Sequence, residues 1–526
     1  MHNKARILVS LLIAAFAINL DTTMVNVALP TLARELHAST SQLQWVVDAY
    51  NLVFAAVILT AGSLSDRFGR KGMLLAGLTV FGLASVAGGL VTTAPELIAT
   101  RAVMGLGAAM TFPATLSLLT NVFTERGERA RAIGLWGASA GVAIAVGPIV
   151  GGWLLEHFTW TSIFFAMGPV AAVGFALVAL TVSTSKDTDA SRIDIPGLLL
   201  STGAMALLVY SVIEAPTYGW GATRSLVGYL GSAMLFASFV AWERHVESPM
   251  LDVRLFRNLR FSAASGSVTV AFFTLLGFIF LMTQYFQFVR GYGPLSAGVH
   301  LLPVALSVGI GSVVGTQLAI RFGTKLIVTL GLIAMAGFYI WVAASISTTI
   351  GYDVIAVQMV LYGIGMGLTS APATDSIMGA VSNRQAGIGS AVNDATRLLG
   401  GTLGVAIIGS VFASLYGTRL ADRLPAHLPA QLSTAAHQSI GEALSLAGQV
   451  KAAGHPAIGA AIHAAATNAF IHGVSIGCLV AGGVAVAGAV MAVVFLPAQP
   501  PSAAAPTVES HAGAEPDATS VLAGTH

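Results

Sequence analysis

Asp21, Asp48, Arg101, Asp394 and Arg397 each interrupt an apolar run long enough to cross a bilayer. A charge at the centre of such a helix costs roughly 2.5 to 3.5 kcal/mol on insertion scales, so residues of this kind point to work done inside the membrane. The chemistry open to them is proton and cation handling. Asp21 is the first candidate proton carrier and Asp48 the second, with Arg101 tuning both. Asp394 and Arg397, three residues apart on one helix face, read either as a self-neutralising pair or as charges lining a cavity. Little else suggests catalysis. The lone Cys478 excludes a disulfide framework and a cysteine metal site. The histidines between about 417 and 467 lack a tight ligand spacing. No Gly-x-x-x-x-Gly-Lys-Ser/Thr pattern occurs, so ATP is not the energy source. No enzyme, cofactor or metal centre is expected.

Helices in lipid must position these groups. The chain has 526 residues, 55% of them hydrophobic and 9% charged, against about 25% charged in average soluble proteins. This composition predicts an all-α polytopic membrane protein, and a net charge of +2 gives no nucleic-acid surface. The apolar run after Lys4 and Arg6 continues through Asp21 to Pro30, which is long for a cleaved leader and reads as a retained first helix. Fourteen spans of roughly twenty residues are expected, arranged six, two and six. Residues 1–182 form the first six-helix half and 183–260 an inserted two-helix linker. Residues 261–496 form the second half, with an external loop at about 417–467. Within that loop Leu432, Ile440, Leu444 and Leu446 suggest a short amphipathic helix. The tail 497–526 is Pro-Ala-Ser-rich and expected to be disordered in the cytoplasm.

Charge orients the chain. With both termini inside the cytoplasmic (inner) membrane, most of the 25 Lys and Arg residues fall on the cytoplasmic side. Arg34, Arg224, Arg290, Arg419, Arg423 and Lys451 fall outside. The densest cluster is the turn from Gly62 to Met73, whose glycines, Gly62 and Gly69, permit a sharp bend. Arg67, Arg70 and Lys71 there enforce topology, and Asp66, which topology does not need, suggests a latch. Arg67-Phe68-Gly69-Arg70-Lys71 recurs as Arg321-Phe322-Gly323-Thr324-Lys325, and Gly105-Leu-Gly107 with Pro113 is echoed by Gly365-Met-Gly367 with Pro372. This repeat makes Leu361 the counterpart of Arg101, so packing alone does not require the arginine. Parallel halves with a midplane site between them are the architecture of rocking secondary transporters.

Four stretches carry a family resemblance: Leu20 to Pro30 with Asp21, Gly62 to Leu74, Leu97 to Gly107 with Arg101, and Gly141 through Gly147-Pro148 to Gly151-Gly152. In order and on the expected spans, they resemble the signatures of the fourteen-helix drug:proton antiporter family of the major facilitator superfamily. The resemblance covers nearly the whole chain and implies a major facilitator fold. It further implies that the Gly62, Asp66, Arg67, Gly69, Arg70, Lys71 turn joins the two halves in the outward-facing state. The glycine-proline pattern of Gly141, Gly147, Pro148, Gly151 and Gly152 would then mark exporters that exchange substrate for protons. Small residues also let helices pack closely.

The expected function is proton-coupled export of lipophilic cationic or neutral amphipathic drugs across the cytoplasmic membrane. Export of an endogenous metabolite or lipid by the same rocking is the alternative, and a non-transporting membrane sensor ranks last. Tyr50, Asn51, Gln284, Tyr285 and Gln287 are the candidates for lining a substrate cavity. The expected partners are a small-molecule substrate, protons and the lipid bilayer. The chain is expected to work as a monomer, with room for an accessory periplasmic partner.

Overall fold

The computed structural model describes residues 2–184, 194–247, 249–381, 386–424 and 430–497, apart from some side chains within helices, Asp66 among them. The expected tail beyond Pro497, and most of the charged stretch at 183–194, lie outside the described residues. The first six helices are α1 (His2–Glu35), α2 (Thr40–Phe68), α3 (Arg70–Gly88), α4 (Ala94–Val122), α5 (Arg126–His157) and α6 (Thr161–Thr181). An inserted pair follows, α7 (Ile195–Tyr218) and α8 (Thr223–His245). The remainder comprises α9 (Leu259–Gln284), α10 (Pro294–His300), α11 (Leu302–Phe322), α12 (Thr324–Ser345), α13 (Tyr352–Gly379), α14 (Ala386–Ala421), α15 (Ala430–Gln438), α16 (Ile440–Ala452) and α17 (Pro456–Phe495). Among the described residues, 13 helical stretches are long and apolar enough to span a membrane. The 29-residue α2, about 43 Å long at 1.5 Å per residue, is not among those 13 but has the length to cross.

Local chemistry sets several boundaries. Ser39 with Gln42, and Thr93 with Glu96, form capping boxes that start α2 and α4 at one end of the bundle. At the other end, α2 stops at Gly69 with φ 109 and α11 stops at Gly323 with φ 90, values that other residues rarely adopt. The repeated basic turn is thus a repeated backbone shape. Gly69 is its hinge, whereas Gly62 lies inside α2 with open space where a Cβ would sit.

The structure departs from the sequence expectation in three places. The span expected after Gln287 is broken into α10 and α11, joined at Leu301. A π-helical turn at Tyr285–Val289 finishes α9, an irregularity with no sequence signature. The external loop expected at 417–467 is largely helix: α14 runs to Ala421, α17 begins at Pro456, and α15 and α16 lie between. The apolar side chains Ile440 and Leu446 of α16 are buried, and this helix packs on α17 and α1 rather than lying apart in the bilayer. The Leu432 side chain is outside the described residues.

Without water to expel, helices in lipid gain most from close backbone approach. A Cβ on Gly107 would strike Gly77 O at 2.8 Å, and one on Gly77 would strike Gly107 O at 2.9 Å, so α3 and α4 meet backbone to backbone. Gly331 of α12 meets Gly365 and Thr369 of α13 in the same way that Gly77 meets Gly107 and Thr111. That register corrects the counterpart of Arg101 from Leu361 to Met359, which is fully buried and apolar. The arginine still has no partner in the second half. The inserted pair leans on both halves: α7 packs against α2 and α14, Trp45 faces Tyr210 with ring centroids 6.4 Å apart, and Trp220 Nε1 donates to Ser414 Oγ at 2.9 Å.

Helix α5 divides along its length. A Cβ on Gly152 would meet Leu295 Cα at 2.5 Å and Pro294 O at 2.6 Å, across the boundary between halves. Pro148 O would meet a Cβ on Gly298, Gly147 abuts Thr23 and Gly151 abuts Met24. Gly141, expected in the same stack, has nothing within 4 Å. Gly152→Ala is therefore expected to part α5 from α10 at a cost of about 1 to 3 kcal/mol, while Gly141→Ala changes the thermal midpoint of the purified protein little. Equal shifts for the two variants would contradict this packing.

Candidate functional site

Arg101 is the centre of the site. It projects from α4 two turns after the helix begins and is 1% exposed. Its Nη1 donates to Asp21 Oδ2 of α1 at 2.6 Å, its Nε donates to Val46 O of α2 at 3.0 Å, and its guanidinium lies 4.3 Å from the Tyr50 ring centroid. Gly105 makes this approach possible, since a Cβ there would run into Tyr50 O. One arginine thus joins three helices through an ion pair, a charge-assisted backbone bond and a cation–π contact. Asp21 is wholly buried and its Oδ1 has no partner.

Asp48 is different. It lies on α2, fully buried, and neither carboxyl oxygen has a hydrogen-bond partner. Asn51, three residues on and so on the same face, is 1% exposed and also has both side-chain polar atoms unpartnered. An unpaired carboxylate without water would cost far more than a neutral acid.

The end of the molecule where α1 finishes and α2 begins is closed. Gln44, one turn before Asp48, donates through Nε2 to Val405 O at 3.1 Å and Ala406 O at 3.0 Å, with Ser410 Oγ at 3.2 Å, all on α14. Gln287 reaches the opposite way, donating to Val27 O of α1 at 2.8 Å. Leu295 N donates to Glu156 Oε1, Thr40 donates to Gln438 O, and His37 meets Glu442 Oε1 at 2.7 Å. These hydrogen bonds between the two six-helix sets all lie at this end. The accepting carbonyls belong to helices, so the glutamines can let go without breaking a helix. Each such bond is worth about 0.5 to 1.5 kcal/mol. Gln44→Ala, which removes at least two such bonds, is therefore expected to raise reagent access to a cysteine placed at Asn26 by up to roughly a hundredfold, and Gln287→Ala, which removes one, by up to roughly tenfold. No change in either variant would remove the glutamines from closure.

The other residues read from the sequence fall in several places. Gln284 donates to Phe280 O of its own helix and Tyr285 OH donates to Ser347 O at 2.7 Å, so both are engaged within the second half. Asp394 and Arg397 do not close as an ion pair within 4 Å among the described residues, because i, i+3 side chains on one helix need not converge. Arg397 turns to Thr374 Oγ1 at 3.2 Å and to the Phe272 ring at 5.3 Å. In the basic turn, Lys71 Nζ donates to Ala179 O of α6 at 2.8 Å and Arg67 is exposed beside Phe68. The Asp66 side chain lies outside the described residues, and Arg70 has a partner. The sequence reading missed Gln44 and Glu156, since an uncharged or interfacial polar residue gives no signal amid apolar neighbours.

Two helical halves, a buried charge cluster in the first and a polar seam closed at one end define a multi-pass membrane transporter, not an enzyme. The profile of the Major Facilitator Superfamily matches residues 11–405, and the chain belongs to that family. It is 36% identical over 400 residues to the multidrug resistance protein Stp of Mycobacterium tuberculosis, covering 76% of this chain and 74% of that one. It is 35% identical over 395 residues to a methylenomycin A resistance protein of Streptomyces coelicolor, covering 75% and 83% of the two chains. With the methyl viologen resistance protein SmvA of Salmonella typhimurium it shares 34% over 478 residues, 90% and 94% of the chains. The fold matches a bacterial homologue of the human lysosomal transporter Spinster in an inward-facing, unoccupied conformation, with TM-score 0.64 at 15% identity over 94% of this chain and 98% of that one.

Proposed function

We propose that the chain is a proton-coupled antiporter that exports lipophilic drugs, cationic or neutral and amphipathic, across the cytoplasmic membrane. The observation that carries this reading is Asp48, a buried carboxyl with no partner. Such a group is tolerated as the neutral acid and becomes costly once its proton leaves, unless a cation takes the place. Exchange of a proton for a cationic cargo follows from that one property. Asp21 is held by Arg101 in a paired state and acts with Asp48, its carboxylate changing partners as the halves move. The resistance relatives support drug export as the task.

In this reading residues 1–182 and 261–496 are the rocking halves and 183–260 the linker. Both termini face the cytoplasm, so the closed end is external and the structure stands open inward. The Gly62 to Met73 turn then has its latch released, in keeping with Lys71 being bonded within its own half. Asp394, Arg397 and Asn51 face the cargo path in the second and first halves.

The test is ethidium efflux from cells stripped of their own pumps, with and without an uncoupler. Uncoupler-sensitive efflux is expected, and Asp21→Asn is expected to lose it. Efflux indifferent to the uncoupler would overturn the proton-coupled reading, and a normal rate in Asp21→Asn would remove Asp21 from the carriers. A chain that moves no ethidium would instead favour an endogenous metabolite or lipid as cargo.

A further inference from the structure

The inserted pair holds two acids that the transport cycle above does not use. Asp194, just before α7, is 8% exposed, and Glu243, near the end of α8, is 3% exposed. Each has one oxygen engaged. Asp194 Oδ1 accepts from Gly197 N at 2.9 Å and from Trp242 Nε1 at 2.7 Å. Glu243 Oε2 accepts from Leu251 N at 3.1 Å. The remaining oxygens, Asp194 Oδ2 and Glu243 Oε1, are buried without a partner. Both crowd the single spot that a Cβ on Gly197 would occupy, with Glu243 Oε1 at 2.6 Å from it. Two carboxyl oxygens turned toward one another out of water cannot both be ionised at reasonable cost, whereas one proton between them gives a short charge-assisted hydrogen bond.

We propose that Asp194 and Glu243 form a proton-binding site that holds the inserted helix pair closed and senses acidity on the face bearing the chain termini. With the proton bound, the start of α7 is tied to the end of α8, and Glu243 holds the strap that follows α8 through Leu251 N. That strap also touches the first half, where Thr60 Oγ1 donates to Met250 Sδ at 3.1 Å. Thr60 stands two residues before the Gly62 to Met73 turn. Loss of the proton sets two carboxylates against each other and frees the strap from α2.

Among the described residues, the charged and titratable groups on the neighbouring segments do not compensate the pair. Asp252 caps the short 3-10 turn at Val253–Arg257 and accepts from Arg254 N. Arg254 donates to Arg244 O, and Arg244 and His245 are exposed at the end of α8. On α2, Arg67 is exposed, and the Asp66 side chain lies outside the described residues.

The experiment uses the full-length protein in lipid nanodiscs, titrated from acid to alkaline pH and followed by infrared difference spectroscopy of protonated carboxyl groups. The wild type is expected to lose a carboxylic acid band that Glu243→Gln lacks throughout. The glutamine is near-isosteric. Its carbonyl keeps the Leu251 bond and its amide donates permanently to Asp194, so the variant is expected to fold. Trp242 fluorescence is expected to shift with pH in the wild type and to stay flat in Glu243→Gln, with Trp242→Phe as the blank. Band loss and a fluorescence shift that persist unchanged in Glu243→Gln would overturn the proposal. So would signals that follow added magnesium or calcium rather than pH. These readings need no transport, so they stand apart from the antiporter reading above. Transport rests on that reading: export that slows with rising pH on the terminal face in the wild type, but not in Glu243→Gln, extends the site to regulation.

Discussion

Asp48→Asn is expected to abolish proton-driven export while sparing exchange of a neutral amphipathic cargo for itself. The amide has nearly the volume of the acid it replaces, and Asp48 has no hydrogen-bond partner to lose, so folding stability is expected to change by less than about 1 kcal/mol. What the amide cannot do is release a proton. For a neutral cargo, one proton moving down 100 mV supplies about 2.3 kcal/mol, a cargo gradient of about fiftyfold at 1.36 kcal/mol per decade. The variant is expected to lose that gradient entirely in inverted vesicles, with external neutral cargo still exchanging for internal neutral cargo at a rate near that of the wild type. An Asp48→Asn protein that still builds the gradient would take Asp48 out of the coupling step.

Arg101→Ala is expected to be the most damaging single change in the first half. It strips Asp21 of its buried partner and leaves Val46 O and the Tyr50 ring without the guanidinium. Breaking a buried ion pair from one side costs about 3 to 5 kcal/mol, because the surviving charge stays buried. The double variant with Asp21→Asn is then expected to be more stable than Arg101→Ala alone, since no charge is stranded. That sign reversal separates an ion pair from two independent packing residues. Arg101→Lys keeps a charge but cannot serve Asp21, Val46 O and Tyr50 together, so it is expected to fall between the wild type and the alanine variant. Thermal midpoints of the purified proteins in detergent measure all four, and additive losses would contradict the pairing.

The sequence made the charged members of the site legible for one physical reason: an acid or an arginine in a lipid-length apolar run costs too much to be incidental. Asp21, Asp48 and Arg101 stood out in this way, and all three proved buried in α1, α2 and α4. What could not be read was which acid holds the arginine, because that depends on how three helices cross and on a glycine, Gly105, that admits the side chain to Tyr50. The uncharged Gln44 gave no signal, and neither did Glu243 near the end of α8. Glycine spacing alone misplaced the counterpart of Arg101 by two residues, since Gly363, Gly365 and Gly367 offer several registers. Only the contact of Gly331 with Gly365 and Thr369 fixes the right one. The helical connection between α14 and α17 was legible only as one short amphipathic helix. The stretch after α14 is rich in alanine and histidine, and its α16 is ordered by packing on α17 and α1 rather than by a strong periodicity of its own.

The most direct measurement records proton and cargo movement together in reconstituted proteoliposomes, for the wild type and for Asp48→Asn. Exchange through a shared buried acid predicts that an imposed cargo gradient drives protons the opposite way in the wild type, and that the variant passes a neutral amphipathic cargo with no proton signal. Cargo crossing in the wild type without any opposing acidity change would contradict the account at its root.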